Sequence, residues 1–364
     1  MVRTAKSAPY LGNVGLDDIL RKNPAVAIGV SGGKDSQAAT IAAIHHLDSL
    51  GHQGPRILVH ADLGMVEWHD SLPVCVRLAE HFGLELAVVH RKAGGLMERW
   101  EARWASSARR YTDLLTVTLV PCFSSAKNRF CTSETKTHPI TSMLRKRFAG
   151  HRIVNVTGIR AEESRRRATA PIWNHDSQLG ITHWRPVLGW TMDQVFASIH
   201  AAGLEPHEAY GCFQMSRVSC RFCVLSRNSD LQAASRQPEA WPLYRRIVAL
   251  EAESGFSFQA GRWLGDVAPS LLGPELEQRL RDAKNRAAQR AKAEARIEPD
   301  MLYTKGWPTR RLTRREAEIL ADVRQVVSDI YGFHGNYLTP SGIEERYEEL
   351  LDLNAERLAK KRSS

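Results

Sequence analysis

Ala25-Val26-Ala27-Ile28-Gly29-Val30 runs directly into Ser31-Gly32-Gly33-Lys34-Asp35-Ser36, and this junction decides the fold. An uncharged, mostly apolar run without alternation reads as a strand buried on both faces, and an apolar helix follows over residues 37–50. Between them, two glycines let the backbone approach an anion closely. Successive N–H groups and a helix N-terminus supply partial positive charge there. Lys34 adds a full charge, and the Ser31 and Ser36 hydroxyls can donate to phosphate oxygens. Asp35 would repel bare phosphate, so its place requires that it help to hold Mg²⁺ or organise the loop. The Walker A spacing GxxxxGK[ST] is absent.

Outward from this junction, residues 56–61 (RILVHA), 84–90 (LELAVVH) and 152–157 (RIVNVT) read as further strands, with a helix over 68–82. Strand and helix in alternation predict an α/β fold, a parallel sheet with helices on both faces. Ligands of such sheets bind outside the carboxyl ends of the strands, where the glycine loop falls. A strand ending in Gly158 would let Arg160 reach a phosphate across the sheet edge, with Glu163 orienting the guanidinium.

The second half changes character. Helices are expected over 190–202, 238–254, 276–296, 313–330 and 343–361, with an irregular cysteine-bearing segment over 210–225. A Gly/Pro-punctuated stretch over 255–274 suggests a boundary. The expected domains are residues 1–255, carrying the chemistry, and a helical C-terminal accessory region, 256–364.

Composition sets the class. The 364 residues are 43% hydrophobic and 25% charged, which excludes wholesale disorder. No apolar run approaches the ~20 residues of a membrane span, and the first residues lack the apolar core of a signal peptide. A cytoplasmic protein without membrane partners is expected. The net charge of +10 is concentrated: residues 99–167 hold 15 Lys and Arg against 5 Asp and Glu. Such an excess points to an anionic partner, a nucleotide or nucleic acid.

Six cysteines in a cytoplasmic chain favour metal or redox use over disulfides. Cys220 and Cys223 form a CxxC pair that can bite one metal centre, Cys212 precedes it closely, and Cys131 is distant in sequence. Four thiolates could complete a Zn²⁺ site or an iron–sulfur cluster, or remain reduced structural thiols. Cys75 and Cys122 read as core or loop residues.

SGGKDS after a buried strand resembles the signature of PP-loop ATP pyrophosphatases, which cleave ATP between its α- and β-phosphates. Gly158-Ile-Arg160-Ala-Glu-Glu163-Ser164 with Arg165–Ala168, Pro186-Val187-Leu188-Gly189-Trp190-Thr191, and Tyr210-Gly211 with the CxxC pair resemble the branch that includes phosphoadenosine-phosphosulfate (PAPS) reductases. The resemblance covers roughly residues 20–230. It implies an adenine nucleotide alpha hydrolase-like fold, ATP with Mg²⁺, and nucleotide contacts from Ser31, Gly32, Gly33, Lys34, Asp35, Ser36, Asp62, Gly158 and Arg160. Asp62 would contact the ribose, and Lys34, Asp35 and Arg160 would be catalytic. Cys131 through Pro139 matches the family's Cys-x4-Lys-x2-Pro block. Some members bind a [4Fe–4S] cluster with such cysteines, which implies Cys131, Cys212, Cys220 and Cys223 as ligands, with Zn²⁺ the alternative. Thr132 departs from the adjacent cysteine of cluster-bearing reductases.

Family reductases also carry a nucleophilic cysteine in an ECGLH-like motif, and this chain has no cysteine after Cys223. The resemblance therefore favours the ATP pyrophosphatase component of bacterial DNA phosphorothioation systems of the Dnd and Ssp type. Expected partners are a cysteine desulfurase, other modification-system proteins and DNA, with a homodimer a further candidate. The alternatives are a PAPS/APS reductase-like enzyme of sulfur metabolism and a tRNA thiolase.

Overall fold

The structure, a computed structural model, describes residues 14–362. The expected lack of a signal peptide concerns residues outside these. Six strands, β1 (Ala25–Val30), β2 (Arg56–Asp62), β3 (Glu85–His90), β4 (Ile153–Thr157), β5 (Trp173–Asp176) and β6 (Ile181–Trp184), form one sheet in the order β3-β2-β1-β4-β6-β5. All neighbours are parallel except β5, which runs antiparallel to β6 at the edge. Strands β5 and β6 were not anticipated, because the short run Trp173–Asp176 is largely polar.

Alternate residues of the central strands face opposite cores, which is why β1 reads as continuously apolar. Val26, Ile28 and Val30 pack with Leu58, Val154 and Val156 against Leu16 and Leu20 of α1 (Val14–Leu20), Ile44 and Leu47 of α2 (Lys34–Ser49), and Leu78 of α3 (Ser71–Phe82). Ala25 and Ala27 join Ile57, Val59 and Ile153 on the other face, against Leu144 and Phe148. Burying one such Ile or Leu stabilises by roughly 1.5–3 kcal/mol. The expected helices on both faces are therefore present.

Helix α4 (Leu96–Thr112) follows β3. The short α5 (Phe130–Thr132) continues through a π-helical turn, Ser133–Thr137, into α6 (His138–Arg147), and α7 is the single turn Arg165–Ala168. After the sheet come α8 (Met192–Ala201), the short α9 (Glu208–Gly211), α10 (Asn228–Ser235), α11 (Trp241–Ser254), α12 (Pro274–Glu294), α13 (Arg314–Tyr331) and α14 (Pro340–Arg362). No helix among the described residues is long and apolar enough to cross a membrane.

The described residues fall into two compact units. One holds everything up to Met97 together with Lys127–Ala240; the other holds Glu98–Ala126 and everything from Trp241. The division thus lies ahead of the expected boundary at 255, and a segment from the middle of the chain clusters with the C-terminal helices. The reason is visible inside the second unit, where Leu114 and Val117 share a core with Leu320, Ile343 and Tyr347. Arg324, fully buried, donates to the carbonyls of Tyr111, Thr112, Asn336 and Tyr337, fixing that segment in place.

Candidate active site

The strand order reverses between β1 and β4, which opens a crevice at their carboxyl ends. The register brings Val30 beside His60 and Gly29 beside Thr157, so the glycine loop, Asp62 and Gly158 leave the sheet at one edge.

The helix after the loop begins at Lys34, three residues earlier than the apolar pattern indicated, with Gly33 as its N-cap. The first helical turn therefore belongs to the loop motif itself. Gly32 has φ +73°, and a Cβ there would lie 2.7 Å from the Ser71 carbonyl oxygen, so this position requires glycine. The amides of Gly32 and Gly33 donate to no acceptor among the described residues. Ser36 behaves differently from its expected role. Its buried hydroxyl accepts from the Ser31 amide (3.2 Å) and donates to the Gly33 carbonyl (2.8 Å), closing the loop on itself. Ser31 is exposed.

Lys34 is 3% exposed, with Nζ 3.2 Å from Asp35 Oδ2 and 5.1 Å from the centre of the Tyr210 ring. The other oxygen of Asp35, Oδ1, accepts from Arg160 Nε at 2.6 Å. Both carboxylate oxygens are thus engaged by cations, and Asp35 organises the loop by bridging Lys34 and Arg160. Arg160 is buried and also donates through Nη1 to Glu162 Oε2 (2.5 Å) and to the Trp190 carbonyl (3.4 Å). Burial opposes its charge, but Asp35 and Glu162 outweigh that and raise its pKa further. The expected reach of Arg160 across the sheet edge is therefore a reach to Asp35. Glu163, expected to orient the guanidinium, instead accepts the Arg160 amide (2.9 Å) and pairs with Arg167; Glu162 is the orienting carboxylate.

Gly158 is also held by close packing. A Cβ there would lie 2.7 Å from Ser36 Cα and would collide with the Asp35 carbonyl. Its value is the close seating of the end of β4 against the first turn of α2. Asp62 is exposed, and its Oδ1 accepts from the Gly64 amide at 2.8 Å in a local turn. Below it, buried His60 bonds Glu67 (3.0 Å) and the Val30 carbonyl (3.2 Å). Burial works against a charge on His60, but hydrogen bonds to Cys75 and Glu67 and the Glu67 carboxylate raise its pKa to about 10.

Tyr210, not anticipated as a site residue, joins the loop to the cysteine-bearing segment. Its phenolic oxygen accepts from the amides of Lys34 (3.1 Å) and Val218 (3.3 Å), and burial pushes its pKa up to about 12. Its only sequence signal is its place beside Gly211 ahead of the cysteines. A second tie is the Arg221 amide, inside the CxxC pair, which donates to the Val66 carbonyl at 2.8 Å.

Burial pushes the Cys220 thiol up to about 12; Cys223 adds to this, Lys136 opposes it, and Glu67 and Cys131 contribute further. Cys131, Cys220 and Cys223 thus form one electrostatic neighbourhood although Cys131 lies far away in sequence. Cys212 is exposed. Among the described residues no three of these sulfurs lie within 4.8 Å of one another, so they do not close on a single Zn²⁺ with its ~2.3 Å Zn–S bonds. Cys75 and Cys122 are buried, as expected of core residues.

The basic segment 99–167 is divided. Arg99, Arg103, Arg109 and Arg110 belong to the second unit and the remainder to the first. Within the first, Arg147 is paired through both terminal nitrogens with Glu85, while Arg145, Lys146, Arg165 and Arg166 are exposed.

A family model for the phosphoadenosine phosphosulfate reductase domain matches residues 25–223. The chain is 30% identical over 247 residues to an uncharacterized 37.8 kDa protein in the gpa 5′ region of Escherichia phage 186, covering 58% of this chain and 71% of the phage protein. Two solved structures are similar with a TM-score of 0.37 each. One is a PAPS reductase from Candida auris in a phosphate complex, 14% identical, covering 56% of this chain and 87% of that one. The other is a U34-tRNA thiolase from Methanococcus maripaludis with its [4Fe–4S] cluster, 16% identical, covering 66% and 75%.

Proposed function

The chain belongs to the phosphoadenosine phosphosulfate reductase domain family, and from that membership we propose that it is an ATP pyrophosphatase that supports sulfur insertion, with the DNA backbone as acceptor. The observation that carries this reading is the arrangement at the start of α2. Unengaged glycine amides, a helix N-terminus and buried Lys34 converge there, and Asp35 is neutralised on both sides by Lys34 and Arg160. An anionic substrate gains from all of these groups, and the carboxylate that would repel it is already paired.

In the proposed reaction an acceptor oxygen attacks the α-phosphorus of ATP and pyrophosphate leaves. The adenylated oxygen then departs as AMP when a sulfur donor displaces it. Lys34 and the loop amides would stabilise charge developing on the phosphates, an effect that is strong in a site shielded from water. Arg160 acts through Asp35 by holding the loop. Cys131, Cys220 and Cys223 would hold an iron–sulfur cluster, which would supply an iron site for the incoming sulfur. Tyr210 and the Arg221 amide fasten the CxxC segment to the nucleotide loop and to the turn after β2, which supports treating the two as one site. A cysteine desulfurase is the proposed sulfur source.

Purified protein given ATP is expected to release pyrophosphate. Direct release of orthophosphate would place it in another class. Lys34→Ala removes a charge-assisted contact worth about 1.5–3 kcal/mol, so ATP affinity should fall roughly 10- to 150-fold. Equal affinity for the two proteins would overturn the assignment.

A further inference from the structure

A cavity of 480 Å³ lies along one side of α6, lined by Thr137, His138, Thr141, Ser142, Arg145 and Leu179. The first five follow helical spacing and form one stripe. No carboxylate is among them. Helical hydroxyls commonly donate back to a carbonyl one turn earlier, as Thr40, Thr135, Ser198 and Ser235 do here. Thr137, Thr141 and Ser142 make no such bond among the described residues, and neither the His138 ring nor the Arg145 guanidinium has a partner there. Three hydroxyls, an imidazole and a guanidinium therefore line one solvent-open hollow and are available to a ligand that displaces water. Arg147, two residues on, is tied to Glu85, which leaves Arg145 as the charge of the stripe.

We propose that this cavity is a second anion site, which binds a phosphate group of a polynucleotide strand. Phosphodiester oxygens only accept hydrogen bonds, and arginine with serine and threonine hydroxyls is the usual donor set for them. Leu179 offers an apolar wall to the sugar. The inference rests on the reading above that the acceptor is nucleic acid, and it names the surface that would hold the acceptor strand.

The test is fluorescence anisotropy of a labelled single-stranded DNA oligonucleotide over a salt series, with inorganic phosphate as competitor. Arg145→Gln is expected to weaken binding about tenfold and to lower the salt slope by about 1. The double variant Thr141→Val with Ser142→Ala should weaken binding with the slope unchanged, since no charge is removed. Unaltered ATP binding by these variants shows that the fold is kept, and Lys34→Ala should lose ATP but keep the oligonucleotide. Wild-type affinity and slope in both groove variants would overturn the cavity while leaving a nucleic-acid acceptor standing. A wild-type protein that binds no oligonucleotide at any salt concentration would overturn both. Binding of inorganic phosphate in the cavity without oligonucleotide binding would make the ligand a free phosphate and defeat the proposal.

Discussion

The Tyr210 phenolic oxygen accepts the amide hydrogen of Lys34 at 3.1 Å, and the same oxygen accepts from Val218 at 3.3 Å. One buried hydroxyl thereby links the first residue of α2 to the segment that leads into Cys220. Tyr210→Phe keeps the ring beneath Lys34 but removes the shared acceptor. Each buried donor left unpaired costs about 1–3 kcal/mol, so the unfolding free energy should fall by at least an amount in that range and the urea midpoint should fall with it. An unchanged midpoint would mean that water replaces the hydroxyl at no cost.

Asp35→Asn leaves Lys34 and Arg160 without their common counter-charge. Removing one partner of a buried pair costs about 3–5 kcal/mol, and Glu162 on Arg160 should keep the loss near the lower end. ATP would supply the missing negative charge. The rise in Tm on adding ATP is therefore expected to be larger for this variant than for the wild type. A smaller rise would return Asp35 to the role of metal ligand.

Gly158→Ala places a methyl group 2.7 Å from Ser36 Cα, against backbone that cannot swing aside. Overpacking of this kind costs about 1–3 kcal/mol, and here it also displaces the first turn of α2. Stability and ATP affinity should fall together. Loss of affinity without loss of stability would point instead to direct contact between this position and the nucleotide.

His60 sets a pH dependence. Its folded pKa of about 10 lies above the ordinary 6.5, so folding favours the protonated ring. That contribution is complete below about pH 6.5 and is lost as pH rises through 10. Stability should decline over this window, and Glu67→Gln should flatten the decline. An NMR titration in which the His60 ring deprotonates between pH 6 and 7 would contradict the assignment.

Iron content distinguishes the thiols. After anaerobic purification, Cys131→Ser, Cys220→Ser and Cys223→Ser should each lose bound iron, whereas Cys212→Ser should retain it, because Cys212 is exposed. Retention of iron by Cys131→Ser would remove that residue from the ligand set. Stoichiometric zinc in its place would mean that the sulfurs close further than they do here.

The central strands were legible because β1 and β2 are buried on both faces, so that β1 carries no polar residue and β2 carries the run Ile57–Val59. Strand β5 was not, since an edge strand of Trp-Asn-His-Asp has only its antiparallel partner to define it. In the site, SGGKDS marked the loop, but the assignment of partners failed where two neighbouring residues offered the same chemistry. Glu162 and Glu163 are both within reach of Arg160, and only the extended backbone at Arg160 sends one to the guanidinium and the other to the amide.

The amino-acid sequence by itself determined the strand–loop–helix junction, the order of the parallel strands' motifs and the kinds of group available to an anion, because these depend on local periodicity, glycine and charge. Tertiary structure alone decided that Asp35 bridges Lys34 and Arg160 and that residues 98–126 belong with the C-terminal helices. The reason is physical. Each is a pairing between residues far apart in the chain, and its strength comes from burial and from charges brought close by packing, neither of which exists until the sheet and its helices have closed around them.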